Sequence, residues 1–208
     1  MLGLCQVVAL MLLARLQAAR FMTMSRQSQL QANLQLIQSQ IQQAAVECHR
    51  DPSEVTLVAV SKTKPSEDIQ ILYDAGHRHF GENYMQELTE KAEVLPKDII
   101  WHFIGHLQSN KASKIIQEVP NLGIIETVDS LKLARKLNTA LEAIPKELDI
   151  YIQIDTSNED TKSGISPEEL PELLQAIKTS CNRLRVRGVM TIGAPNDSSC
   201  FDKLVACR

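Results

Sequence analysis

Apolar positions along the chain change their period several times, and each change predicts a new element. From residue 25 onward Leu30, Leu34, Ile37, Ile41, Ala45 and Cys48 recur every three or four residues, with glutamines between them. That spacing predicts an amphipathic helix with one buried stripe and a solvated glutamine face, ended by Asp51-Pro52. Residues 55–62, Val-Thr-Leu-Val-Ala-Val-Ser-Lys, then switch to a β-branched apolar run. Period-2 alternation puts Thr56, Val58, Val60 and Lys62 on one face and Val55, Leu57, Ala59 and Ser61 on the other. Both faces are largely apolar, as expected of a strand in a parallel sheet covered on both sides.

Pro65, with Glu67 and Asp68 behind it, opens a helix through Ile69, Leu72 and Ala75 that Gly76 closes. Residues 78–83 predict a second strand passing into a helix that runs to about Glu93, and 99–105 a third strand leading through 106–110 into a helix over 111–117. A fourth strand spans 122–128, with Asp129 or Ser130 capping a helix through Leu131, Leu133, Ala134 and Leu137. A fifth spans 149–155, followed by the helix start Ser166-Pro167-Glu168-Glu169, and a sixth spans 186–193. Beyond it, Asn196-Asp197-Ser198-Ser199 caps a helix with Phe201, Leu204 and Val205 on one stripe. Unbroken alternation of strand and helix means a parallel sheet, open or closed into a barrel. The polar segments 62–64, 81–83, 105–108 and 156–164 all follow strands, so they would gather at one end of such a barrel.

Composition narrows the function classes. A chain of 208 residues with net charge -3 and 44% hydrophobic residues suits one soluble domain, assigned to residues 25–208. Lys+Arg 22 against Asp+Glu 25, without a basic run interleaved with aromatics, argues against nucleic acid as a partner. No GxGxxG or GxxxxGK[ST] follows a strand, which weakens nucleotide binding. The five cysteines are odd in number and lack a CxxC pair, so they read as reduced thiols of an intracellular protein, with no zinc site. Residues 1–24 form a separate leader: an apolar run too short for a membrane span, then Arg15 and Arg20, with no acidic residue before Glu47. Arg-rich, acid-free leaders are of the mitochondrial kind; with Met22 or Met24 as the start the segment carries no address, and the protein is expected in the cytoplasm.

The candidate chemistry centres on Lys62. At the carboxyl end of a parallel strand a lysine stands where α/β proteins place their ligands. Apolar walls and nearby Lys64 would disfavour its ammonium form and leave more free amine for attack on an aldehyde; the alternative is a lysine snorkelling to water. His102 and His106 share the inward parity. No nearby carboxylate or third histidine is visible to complete a metal set, so they read as hydrogen-bonded pocket histidines. Tyr84 and Tyr151 read as packing residues.

Five ordered motifs make the pattern specific: residues 58–65 (Val-Ala-Val-Ser-Lys-Thr-Lys-Pro), 80–84 (Phe-Gly-Glu-Asn-Tyr), 101–108 (Trp-His-Phe-Ile-Gly-His-Leu-Gln), 126–130 (Glu-Thr-Val-Asp-Ser) and 188–193 (Gly-Val-Met-Thr-Ile-Gly). Together they resemble the pyridoxal phosphate homeostasis proteins, single-domain relatives of the barrel domain of alanine racemase. The resemblance implies a TIM-type (β/α) barrel, Lys62 in a Schiff base with pyridoxal 5′-phosphate, Asn83 beside the cofactor, and Met190 with the following Thr191-Ile192-Gly193 in the pocket wall. Members of the family continue through two more βα units that hold the cofactor phosphate. About six of the eight strands are expected here, so the phosphate anchor is expected to be missing and cofactor retention or folding to be poor. The implied function is a non-catalytic carrier delivering the cofactor to apo-enzymes, with no membrane or nucleic-acid partner. The alternatives are a racemase-like enzyme using Lys62 as anchor and proton carrier, and a truncated isoform without cofactor function.

Overall fold

The computed structural model describes residues 25–157 and 163–207. The leader assigned to 1–24, and part of the polar segment 156–164, lie outside the described residues. The described residues form two compact units, 25–57 with 67–77, and 58–66 with the described residues from 78 to 207.

In the first unit, helix α1 (Arg26–Glu47) starts at Ser25, whose side chain accepts the amide of Ser28 at 3.2 Å. Helix α2 (Ser66–Asp74) follows the predicted Pro65 start, and Gly76 beyond it takes a left-handed φ of 95°. The Arg26 Nε donates to the Asp68 carboxylate at 3.1 Å, joining the first turn of α1 to α2. The predicted stripe of α1 is only partly buried. Leu34 and Ala45 are covered, whereas Ile37 and Cys48 are exposed.

The second unit is a parallel sheet of six strands in the order β1-β2-β3-β4-β5-β6: Ala59–Val60, His79–Glu82, Ile100–Phe103, Leu122–Val128, Leu148–Gln153 and Leu184–Met190. Each strand pairs with its neighbours in sequence, which is the order of a (β/α) barrel; a doubly wound sheet would reverse direction partway. Strands β1 and β6 are the two edges, and the sheet is not closed among the described residues. Helices α3 (Met85–Val94), α4 (Ala112–Glu118), α5 (Leu131–Glu142) and α6 (Leu170–Ser180) connect successive strands. Ser130 caps α5 by accepting the Leu133 amide, and at the expected helix start Ser166 with Glu169 forms a capping box in the turn leading into α6. Among the described residues no helix is long and apolar enough to cross a membrane.

The two faces of the sheet differ. One carries the core: Phe80, Trp101, Phe103, Leu122, Ile125, Ile150 and Ile152 are almost fully buried, and the Phe80 and Trp101 rings stand 6.0 Å apart. The other face carries Val58, Val60, Gly81 and Ile104, and Val60 is 52% exposed. Coverage of both faces, expected from the apolar run at 55–62, is therefore not found at β1. A barrel interior is filled by layers of side chains from alternating strands, and β1 has a pairing partner on one side only. For the same reason β1 is shorter than predicted: its ladder with β2 spans Ala59↔Phe80 and Val60↔Gly81, and residues 55–58 lie outside it.

Helix α7 (Ser199–Ala206) lies where the last apolar stripe predicts a helix, but its buried residue is Cys200, with Phe201 and Val205 59% and 68% exposed. The reason is local: Cys200 Sγ accepts the Ala194 amide at 3.4 Å and faces the Thr156 carbonyl, turning the neighbouring positions outward. Cys48, Cys181, Cys200 and Cys207 are all free thiols.

Candidate functional site at the carboxyl ends of the strands

Lys62 does not extend β1. It lies in a tight turn just past it, exposed, between a buried Ser61 and a Thr63 whose φ is 62°. The Ser61 amide still pairs with Gly81 O at 2.9 Å, and the Lys64 amide closes the turn on Ser61 O at 3.0 Å. A left-handed backbone is unusual for a β-branched residue, because its Cβ substituents crowd the main chain. The turn is held by polar groups from outside it. Lys91 Nζ, on α3, donates to Ser61 O at 2.8 Å, to Glu82 Oε1 at 2.7 Å and to Glu87 Oε1 at 2.8 Å. Glu87 Oε1 in turn accepts the Thr63 amide at 2.7 Å, and Ser61 Oγ donates to Glu82 Oε1 at 2.6 Å. Lys91 and Glu82 are both buried, and Glu82 Oε2 has no partner among the described residues. Burial pushes the Glu82 carboxyl above its usual range, against the opposing pull of its bonds from Lys91 and Ser61.

Asn83 directly follows β2, the strand beside β1, and its Oδ1 is buried without a partner among the described residues. Its backbone is held close to the next loop: a Cβ on Gly105 would lie 2.0 Å from Asn83 O, so only glycine fits there. Asn83 also borders an open cleft with Tyr84, Phe103, His106 and Lys111. Met190 is half-buried at the end of β6, on the opposite edge of the sheet from Lys62. The loop after it is tied back by a hydrogen bond of 2.7 Å between the hydroxyls of Thr156 and Thr191.

A second polar chain crosses the face of the sheet that carries Val58 and Gly81. His79 Nδ1 meets His102 Nε2 at 3.0 Å, and His102 Nδ1 meets Glu126 Oε1 at 2.6 Å. His102 is thus the hydrogen-bonded histidine expected, but the expected lack of a neighbouring carboxylate and histidine is corrected. Both come from adjacent strands, where sequence spacing conceals them. Among the described residues no cluster of histidine, cysteine and carboxylate side chains is arranged to hold a metal. His106 is exposed in its loop, 3.5 Å from Asp129. Tyr84 is corrected as well: it precedes α3 and is 58% exposed, so it is not a packing residue, whereas Tyr151 packs against Gly188.

Sequential parallel strands, with a lysine just beyond the first of them, define a particular class of barrel. The chain belongs to the family described as alanine racemase, N-terminal domain, which it matches over residues 26–204. Within that class it is similar to the pyridoxal phosphate homeostasis proteins. It is 48% identical over 169 residues to that of Schizosaccharomyces pombe, covering 81% of this chain and 68% of the relative. It is 43% identical over 170 residues to the human protein, covering 77% and 62%, and 45% identical over 167 residues to that of Escherichia coli K12, covering 78% and 70%. The chain thus spans between 62% and 70% of the length of these relatives. Among solved structures, PipY of Synechococcus elongatus with PLP bound is 32% identical with a TM-score of 0.62, over 80% of this chain and 79% of that one. A protein from Bifidobacterium adolescentis is 30% identical with a TM-score of 0.78, over 88% and 78%. Alanine racemase of Clostridium difficile, 16% identical over 74% and 40% with a TM-score of 0.59, shares the fold.

Proposed function

We propose that this chain binds pyridoxal 5′-phosphate through Lys62 and serves as a non-catalytic carrier that keeps the cofactor available to apo-enzymes while limiting free aldehyde. The observation that carries this reading is the exposed Lys62 in its fixed turn at the end of β1, next to the strand after which Asn83 presents a buried Oδ1 without a partner among the described residues. When bound, the cofactor supplies an aldehyde that condenses with a primary amine and a conjugated ring that reports the bond. Lys62 contributes the amine, and its exposure gives the aldehyde access. Asn83 Oδ1 contributes an acceptor that a hydroxyl or ring N–H can satisfy, and a buried acceptor left unpaired costs about 1–3 kcal/mol. Met190 and the tied-back Thr191 form the proposed far wall. The carrier role rests on what the homeostasis relatives are named for; the racemase likeness supports the fold alone. The proposed setting is the cytoplasm, or the mitochondrion where the leader is retained.

Titration of the purified chain with pyridoxal 5′-phosphate tests the reading. An absorption band that Lys62→Ala abolishes is expected, with borohydride trapping placing the added mass on the Lys62 peptide. A folded chain that traps the cofactor on no lysine, or equally on all of them, would overturn it. Loss of the α-hydrogen of an added amino acid with turnover would replace the carrier by the enzyme.

A further inference from the structure

Lys91 makes three charge-assisted bonds from one buried ammonium, and every one of them bears on the backbone around Lys62. Its bond to Ser61 O fixes the carbonyl immediately before Lys62, at 2.8 Å. Its bond to Glu87 Oε1 aims the same oxygen that accepts the amide immediately after Lys62, at 2.7 Å. Its bond to Glu82 joins the hub to the Ser61 hydroxyl. All three ammonium donors are thereby used. The surroundings are costly to maintain: an ammonium and a carboxylate are taken out of water, one carboxylate oxygen has no partner among the described residues, and Thr63 is held at a φ of 62°. Pairs of this kind contribute little net stability compared with apolar packing, so their effect is better sought in the geometry they impose. A backbone conformation that a β-branched residue avoids persists only where its surroundings over-determine it.

We propose that Lys91, acting with Glu87 and Glu82, positions the Lys62 amine by clamping both peptide groups that flank it, so that the lysine leaves β1 in one direction and meets its aldehyde already oriented. This rests on the cofactor reading above and adds to it a positioning element that never touches the ligand. Preorganisation of this kind shows as tighter binding and faster imine capture, because the ordering cost is met in folding.

Lys91→Met would strand two carboxylates and could unfold the chain, so Glu87→Ala is the informative variant. Its side chain is 24% exposed, and Lys91 keeps Glu82 and Ser61 O. Glu87→Gln retains an acceptor oxygen and serves as the rescue. Three quantities are measured: hydrogen exchange at the Thr63 amide without cofactor, the ratio of Lys62 to Lys64 labelled by formaldehyde and cyanoborohydride, and the affinity for pyridoxal 5′-phosphate. Glu87→Ala is expected to speed Thr63 exchange about tenfold or more at a melting temperature near that of wild type. It should also shift the labelling ratio and weaken cofactor affinity about fivefold or more. Glu87→Gln should restore all three toward wild type. Unchanged Thr63 exchange, or faster exchange with an unchanged labelling ratio, would overturn the proposal. A wild-type chain that captures no cofactor at Lys62 would sink the carrier reading alone, since exchange and the labelling ratio still decide whether the clamp positions the amine.

Discussion

His102 and Glu126 stand on adjacent strands with Nδ1 and Oε1 2.6 Å apart, and that short bond ends a longer polar chain. The other ring nitrogen of His102, Nε2, meets His79 Nδ1 at 3.0 Å, so the buried ring is held from both neighbouring strands. Glu126→Ala removes the acceptor at the end of the chain and leaves the buried His102 ring with an unpaired N–H. A loss of about 1–3 kcal/mol in urea unfolding is expected. Glu126→Gln keeps an acceptor and should lose less. Equal stability of Glu126→Ala and wild type would show that water replaces the carboxylate.

How much of this was legible in the sequence depends on whether a feature is local. The 122–128 strand, the Ser130 cap and the Ser166–Glu169 helix start need only neighbours within a few residues, and all three stand where the pattern puts them. The end of β1 is different. Its length is decided by the ladder to β2, so the apolar alternation that suggested a strand up to Lys62 overshot into a turn. Lys91 reads on its own as a surface lysine paired with Glu87 one helical turn earlier. Only the register of β1 against β2 reveals that Glu82 lies under Ser61 and draws that lysine inward. His79 and Glu126 escaped for the same reason, since each meets His102 across a strand pair.

Thr63 carries its strain in the backbone, where substitution can separate it from the contacts of the turn. Thr63→Gly removes the Cβ that makes a φ of 62° costly but enlarges the freedom of the unfolded chain. The two effects oppose each other, and a net change within about 1 kcal/mol of wild type is expected from chemical denaturation. Thr63→Pro cannot adopt that φ and also deletes the amide bound by Glu87, so it should lose well over 1 kcal/mol. A Thr63→Gly variant destabilised as much as Thr63→Pro would show that the threonine side chain, and not the amide, holds the turn.

Gly105 sets the position of Asn83 by having no side chain. The Cβ of Gly105→Ala would fall 2.0 Å from Asn83 O, against backbone and not against a flexible side-chain tip. The loops after β2 and β3 must then separate, at a cost of roughly 1–3 kcal/mol or more. Gly81→Ala is the milder comparison, since its nearest neighbours are the side chains of Ile104 and Val58 at 3.1 Å and 3.2 Å, which can shift. The expected order of stability in thermal unfolding is wild type, Gly81→Ala, Gly105→Ala. Only Gly105→Ala should displace the Asn83 amide resonance strongly. The reverse order would mean that Asn83 is not held by this approach.

Glu82 gives the fold a pH dependence whose sign follows from its burial. Its carboxyl titrates above the ordinary 4.5 because desolvation outweighs the favourable bonds from Lys91 and Ser61. The native state therefore binds this proton more tightly than the unfolded chain does. Stability from that proton is fully present below the ordinary value and is lost as the pH rises through the native one. Glu82→Gln cannot titrate, so the stability difference between it and wild type should move in favour of the variant from acid to neutral pH. The absolute difference also contains the altered bond to Lys91, so the slope and not the offset is diagnostic. Urea unfolding of both proteins across that range measures it. A difference that moves in favour of wild type would mean that Lys91 holds Glu82 ionised below its ordinary range, and a constant difference would mean that burial and the bond to Lys91 cancel.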